Sequence, residues 1–373
     1  MVVLAARRYY DRDEEIVGWE DHDRHCGYPV HRLDLLRPRI LPPPANMLVS
    51  AWRFLTIDIP LRSRILYTTL QLIRRHHVGI LCLGELNSLA WLGGLCRRLT
   101  GCRVIYYIHG EEVSTQFDAG SFGKKRFHYL SRADAIIAVS RFTQHILIEE
   151  LGLPAERVHL IENAVDTMKF SPGVDDIAFR HRWGVVGKRL VVGVGRLVPR
   201  KGFDQTIRGW QDVVAQHPTA HLMIIGDGPQ RAELQQLVES AGLQNHVKLT
   251  GPLSDADLLA AYHSADLFIM PNRTMPDGDT EGFGLVFLEA NACGRAVIGG
   301  RAGGAVEAVR DGETGLLVDG NSVQEIASAI CRLLADDELI ERLEKGGLRH
   351  AQANSWTTRA AEFQSLCHRL AVK

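Results

Sequence analysis

The chain has 373 residues, enough for two domains of ordinary size. Lys and Arg total 43 against 44 Asp and Glu, and the formal net charge of -1 gives no general attraction for nucleic acid. The seven cysteines are odd in number, scattered and free of C-x-x-C pairs, which argues against a structural metal or a disulfide framework and for a reduced, cytoplasmic setting.

In chain order, MVVLAARRYYDRDEE lacks the apolar core of a signal peptide, and VVLAAR within it reads as a strand. LPPPA (Leu41–Ala45) reads as a surface loop. Leu61–His77 is a basic helical stretch whose Arg62, Arg64, Arg74 and Arg75 face either solvent or anionic lipid. Its adjacent His76 and His77 point to different helix faces, which does not suit a metal. Val78–Leu95 is the most apolar window, but Glu85 and Asn87 interrupt it, so it reads as a strand and a helix rather than a membrane span.

Short Val- and Ile-rich runs continue at Arg103–Gly110, Ala135–Ser140, Arg189–Gly195, His221–Gly228, Ala265–Pro271 and Ala296–Gly300. Several end at Gly, as buried parallel strands do. Helical stretches lie between them, such as Ala232–Ala241 and Asp255–His263, the latter with Ser254 as N-cap. A polar seam at Met168–Asp176 carries Pro172 and Gly173, and a fresh strand-helix series follows it. The pattern predicts an α/β protein of two facing, Rossmann-like doubly wound domains, residues 1–168 and 169–352, with a ligand cleft between them.

GVGRLVPRKGFD (Gly193–Asp204) runs from a strand through a glycine-bearing loop into a helix starting near Gly202 or Phe203. Arg196 and Lys201, with the N–H groups of that helix start, form an anion site suited to a diphosphate; the alternative is a solvated basic turn. GDGP (Gly226–Pro229) is a second glycine turn, with Asp227 as a candidate N-cap.

EGFGLVFLEA (Glu281–Ala290) sets two carboxylates eight positions apart. Glycine costs about 1 kcal/mol inside a helix, so the helix is expected from Gly284 to Cys293, with Gly294 closing it and Glu281 in the loop before it. Eight helical residues rise about 12 Å, whereas glycosidase carboxylates lie about 5–5.5 or 6.5–9.5 Å apart. Glu281 and Glu289 therefore read better as two grips on one elongated, sugar-bearing ligand than as an acid/base pair. Apolar neighbours Phe287, Leu288 and Ala290 argue against a solvent-facing Glu289. Asp277-Gly278-Asp279 reads as a solvated loop rather than a metal site.

The ordered set GRLVPRKGF, GDGP, EGFGLVFLEA with Cys293-Gly294 and RAGGAVEAVRDGETGLLV (Arg301–Val318) resembles glycosyltransferase family 4, retaining enzymes of the GT-B fold. Upstream, HGEE (His109–Glu112), VSRFT (Val139–Thr143) and ENAVD (Glu162–Asp166) match further family segments. The loop Met270–Gly284 looks most like phosphatidylinositol mannoside mannosyltransferases.

The resemblance implies a hexose of mannose or glucose type moved from a nucleotide diphosphate sugar, GDP- or UDP-linked, to a glycan or lipid-linked acceptor, with no obligatory metal. It implies Gly195, Arg196 and Lys201 at the diphosphate. Glu281, Gly282, Phe283, Gly284 and Leu285 would line sugar and phosphate, and Glu289 the ribose. Pro252 and Leu253 would border the base. His109 would face the donor sugar from the first domain; the plainer reading is a structural histidine at a strand end.

It further implies a C-terminal helix, 353–373, packing back toward the first domain, and peripheral contact with the inner, cytoplasmic membrane face. Two departures stand out. Met1 starts at what would be the family's second strand, so the first strand and its Gly-rich loop are not seen, and Ala164 replaces a favoured Gly. Two other readings stay open on residues alone: a nucleotide-sugar-binding protein without catalysis, and a GT-B-fold epimerase.

Overall fold

The structure is a computed structural model that describes residues 1–10, 14–115 and 127–372. The first half carries β1 (Val3–Ala6), β2 (Val30–Leu33), β3 (Ile80–Leu83), β4 (Arg103–Ile108), β5 (Ala135–Ala138) and β6 (Val158–Leu160). The second carries β7 (Arg189–Val194), β8 (Ala220–Ile225), β9 (Val247–Gly251), β10 (Leu267–Met270), β11 (Ala296–Gly300) and β12 (Gly315–Val318).

The helices used below are α1 (Trp19–His25), α2 (Met47–Arg53), α3 (Ile59–Arg75), α4 (Leu86–Thr100), α5 (Glu111–Ser114), α6 (Arg141–His145) and α7 (Ile177–Trp183). They continue with α8 (Phe203–Gln216), α9 (Arg231–Ser240), α10 (Asp255–Ser264), α11 (Leu285–Ala292), α12 (Ala305–Ala308), α13 (Val323–Ala335), α14 (Asp337–Ala353) and α15 (Trp356–Val372).

The second-half strands form one parallel sheet in the order β12-β11-β10-β7-β8-β9. This is the doubly wound order, and its switch point lies between β7 and β10, where ligands of such sheets sit. Every residue of β10 and β11 is buried, because helices cover both faces. Phe287 of α11 meets Phe268 of β10 edge-on, with ring centroids 5.7 Å apart. On the opposite face Phe179 of α7 and Ala261 of α10 close over Val192, Met223 and Ile225.

The first half holds two sheets rather than one, β3-β4-β5-β6 and a separate parallel pair β1-β2. Both feed one core, in which Leu33 of β2 joins Leu83, Val104, Tyr106 and Ile136. The final helix, α15, lies on this half. Leu366 is buried with Ile105, Ala135, Ile137 and Ile161, and Phe363 and Leu370 pack beside them. Arg359 ties α15 down by donating to Glu162 and to Asn354, each at 2.5 Å. Lys373, the last residue expected in this helix, lies outside the described residues.

Ser254 caps α10 as the sequence predicts, accepting from the Asp257 N–H at 3.1 Å. Asp227 does not cap α9. Its carboxylate accepts from the neighbouring Gly228 N–H at 2.8 Å, a local turn bond, and Gln230 stands at the cap position instead.

Candidate active site between the two halves

The loop after β7 brings its cations to the carboxyl end of the second sheet. The Leu197 N–H donates to the Asp227 carbonyl at 2.9 Å, which fastens the loop to the turn after β8. A short 3-10 turn, Pro199–Lys201, then leads through Gly202 into α8. Lys201 is buried, and its Nζ lies 2.5 Å from Glu281 Oε2. Arg196 points across to the other half, 3.2 Å from Glu111 Oε1.

Arg200, between them, is also buried. It donates to Glu111 Oε2 at 3.1 Å and to both oxygens of Asp279 at 3.0 and 3.1 Å. Three cations and three carboxylates thus share one patch where the halves meet. Burial works against ionisation of Glu111, but the charges of Arg200 and Arg196 outweigh it and hold its carboxyl below the usual range. Burial likewise works against the Arg200 charge and is outweighed, by Glu111, Asp279 and Glu281.

Glu281 lies in the loop before α11, as expected, and its carbonyl accepts the Gly304 N–H at 2.8 Å. Gly282 sits directly on the end of β4. A Cβ there would stand 2.0 Å from the His109 carbonyl oxygen, so no other residue fits this approach. His109 is exposed above this junction; its N–H donates to Glu112 at 3.1 Å, and its ring lies 5.3 Å from that of Tyr107. Phe283 is buried, Gly284 leads into α11 with φ 90°, and Leu285 is exposed at the helix start.

Glu289, on α11, is half-buried and accepts from the Tyr262 hydroxyl at 2.8 Å. Burial pushes its carboxyl up, and the Tyr262 hydrogen bond offsets part of that rise. Pro252 is exposed and Leu253 half-buried in the turn after β9, where Leu253 packs against the Phe179 cluster.

A second sequence expectation needs correcting. Asp279 is not a solvated loop residue: it is an Arg200 partner, because the loop folds over the cations. Asp277 accepts the Asp279 N–H at 3.1 Å and shapes that turn. Among the described residues no group of three His, Cys, Asp or Glu side chains is placed to hold a metal ion.

Sequence reasoning also missed Arg200, Glu111 and Tyr262. Arg200 was within reach, as a third cation in the same loop. Glu111 and Tyr262 were not, since their contacts bring together residues 85 and 27 positions apart.

A doubly wound parallel sheet and a second parallel sheet meet at a loop bearing three cations, and comparison with known proteins shows a glycosyltransferase. Residues 2–169 match the family described as Glycosyltransferase Family 4, and residues 176–350 match that described as Glycosyl transferases group 1. A GDP-mannose-dependent alpha-(1-6)-phosphatidylinositol monomannoside mannosyltransferase of Mycolicibacterium smegmatis is 37% identical over 79% of this chain and 78% of its own. A mannosyltransferase of Corynebacterium glutamicum, GDP-mannose-dependent and specific by name for the monoacylated form, is 33% identical over 77% and 75%.

Among solved structures, Anabaena Alr3699/HepE in complex with UDP-glucose superposes with a TM-score of 0.78 at 22% identity, covering 99% of this chain and 100% of its own. Sucrose-phosphate synthase of Thermosynechococcus elongatus gives 0.73 at 22%, covering 100% and 99%. The chain belongs to glycosyltransferase family 4 and has the GT-B fold.

Proposed function

We propose that the enzyme moves a hexose, mannose first among the candidates, from a nucleotide diphosphate sugar to a lipid-linked or polysaccharide acceptor with retention at the anomeric carbon. The observation that carries this is the Lys201–Glu281 contact at 2.5 Å, which joins the cation loop to the residue assigned to sugar hydroxyls. Arg196 and Lys201 hold the diphosphate and stabilise the charge it gains on leaving. Gly195 lets the loop backbone approach. Glu281 binds sugar hydroxyls, with Gly282, Phe283, Gly284 and Leu285 lining the sugar and phosphates.

Glu289 takes the ribose, Pro252 and Leu253 border the base, and His109 faces the sugar from the opposite half. The C1–O bond to the diphosphate breaks while the acceptor oxygen bonds C1 on the same face, and the departing phosphate oxygen takes the acceptor proton. When the donor enters, its phosphates replace Glu111 as the partner of Arg196.

The GDP-mannose dependence of the two mannosyltransferases supports GDP over UDP. We take residues 1–168, 169–352 and 353–373 as the working domain limits; the family matches, ending at 169 and starting at 176, support the first division. A thermal-shift panel of GDP, UDP and their mannose and glucose sugars tests the donor. Labelled donor with lipid and glycan extracts tests transfer, and no product with any donor overturns the reading.

We also propose that the enzyme works at the cytoplasmic face of a membrane, in peripheral contact. Met47, Leu48 and Trp52 of α2 and Phe54 and Leu55 beyond it are exposed, beside the basic helix α3. Arg62 stacks over Trp91, at 5.5 Å from the ring centroid, and Arg64 leans to Asp34, at 3.8 Å. Arg74 and Arg75 are exposed at the helix end. This combination suits an anionic interface. No described helix is long and apolar enough to cross a membrane. Co-sedimentation with vesicles containing phosphatidylglycerol, lost in a Trp52→Glu variant, is expected; equal sedimentation of both proteins contradicts it.

A further inference from the structure

Glu307 stands on α12, in the second half, and its side chain serves the first. Its two oxygens accept the N–H groups of Arg141 and Phe142 at 2.7 and 2.8 Å. These N–H groups open α6, and a helix cannot satisfy them internally. Ser140, the N-cap of α6, already serves the Thr143 N–H at 3.0 Å. Glu307 thus completes the cap of a helix 166 positions away in sequence, at the end where the helix dipole favours an anion. α6 runs on through a wider helical turn, Ile146–Glu150.

The cap stands beside a close backbone approach of the two halves, that of Gly282 to His109 and Gly110. A Cβ on Gly304 would meet the Gly282 carbonyl oxygen at 2.0 Å and Ser140 Oγ at 3.1 Å. Gly282 in turn rests on the His109 carbonyl, as described above. One short chain of contacts therefore runs from Glu307 through Gly304 and Gly282 to His109 and Glu281. Glu307 is half-buried, so its two charge-assisted bonds are partly shielded from water.

We propose that Glu307 is a positioning residue: its carboxylate locks the start of α6 onto the second half and so fixes His109 against the sugar end of the donor site. This rests on the assignment of His109 and Glu281 to the donor sugar.

The test compares wild type with Glu307→Ala and Glu307→Gln in the full chain, each checked for folding by its melting curve. In Glu307→Ala, calorimetry with GDP or UDP is expected to give a Kd within about threefold of wild type, since the nucleotide contacts lie on the second half. The kcat is expected to fall about 30-fold, the scale of losing charge-assisted hydrogen bonds. Glu307→Gln keeps one acceptor oxygen and is expected to recover part of the rate. Small-angle scattering with nucleotide is expected to show a larger radius of gyration for Glu307→Ala than for wild type.

A kcat within about twofold of wild type, or a nucleotide affinity that falls as far as kcat, overturns the proposal. Equal radii overturn it independently of any transfer assay. Failure of wild type to transfer sugar instead indicts the functional reading, and the scattering comparison then still decides whether Glu307 holds the halves together.

Discussion

Lys201 and Glu281 are 80 positions apart in sequence and in direct contact in the fold, with Nζ 2.5 Å from Oε2. Their side chains are 11% and 13% exposed, so each is the other's main compensation for lost water. β7 ends where the cations begin, β10 ends where the loop to Glu281 begins, and the two strands are neighbours in the sheet. The ion pair is thus a consequence of strand order, placed at the point where such sheets bind ligands.

Removing one partner leaves an uncompensated charge. Lys201→Met and Glu281→Gln are each expected to destabilise the fold by about 3 kcal/mol. The double variant is expected to lose less than the sum, because neither charge is then stranded. All three are expected to lose transfer activity. Thermal unfolding together with initial rates checks this, and an active double variant contradicts it.

Tyr262→Phe removes the hydroxyl that donates to Glu289. A hydrogen bond to a charged group contributes roughly 1.5–3 kcal/mol to stability, so the melting temperature is expected to fall, and nucleotide is expected to bind more weakly because the proposed ribose ligand Glu289 is no longer held in place. Burial already pushes the Glu289 carboxyl up, and this hydrogen bond opposes it. Without it the carboxyl protonates at still higher pH. The acid-side loss of nucleotide affinity is therefore expected to move to higher pH, read by calorimetry across a pH series.

His350, on α14, is buried, and burial together with the Arg310 charge pulls its pKa down to about 4. The unfolded chain takes up this proton below about 6.5, while the folded chain resists until about pH 4. Stability is therefore expected to fall as pH drops through this window, by up to about 3 kcal/mol. His350→Gln is expected to flatten that slope in urea unfolding at pH 7, 5.5 and 4.5. An unchanged slope contradicts the assignment.

Leu366 is 2% exposed and fills the space between α15 and the β4–β5 face. Leu366→Ala is expected to cost about 3 kcal/mol. A melting curve near that of wild type would mean that the helix does not depend on this contact.

β7, β8, β10 and β11 were legible because buried parallel strands are short apolar runs, and each run here ends where a turn residue stands; β12, Gly315–Val318, was not read as a strand. The placement of Lys201 and Glu281 in loops was legible, because a cation loop and a carboxylate loop both follow such strands; their contact was not. The division of the first half into β1-β2 and β3-β4-β5-β6 was not, since apolar runs identify strands but not their neighbours. Asp279 was misread because a polar D-G-D loop looks the same in solvent and folded over Arg200. Glu307 carried no local signal: its partners are backbone N–H groups of the other half, which have no sequence signature.

The most direct measurement is the anomeric configuration of the first product formed from an α-linked nucleotide hexose, followed by proton NMR from the start of the reaction. An α-linked product is expected, absent with Lys201→Met or Glu281→Gln enzyme. A β-linked product, or free hexose as the only product with every acceptor extract, contradicts it.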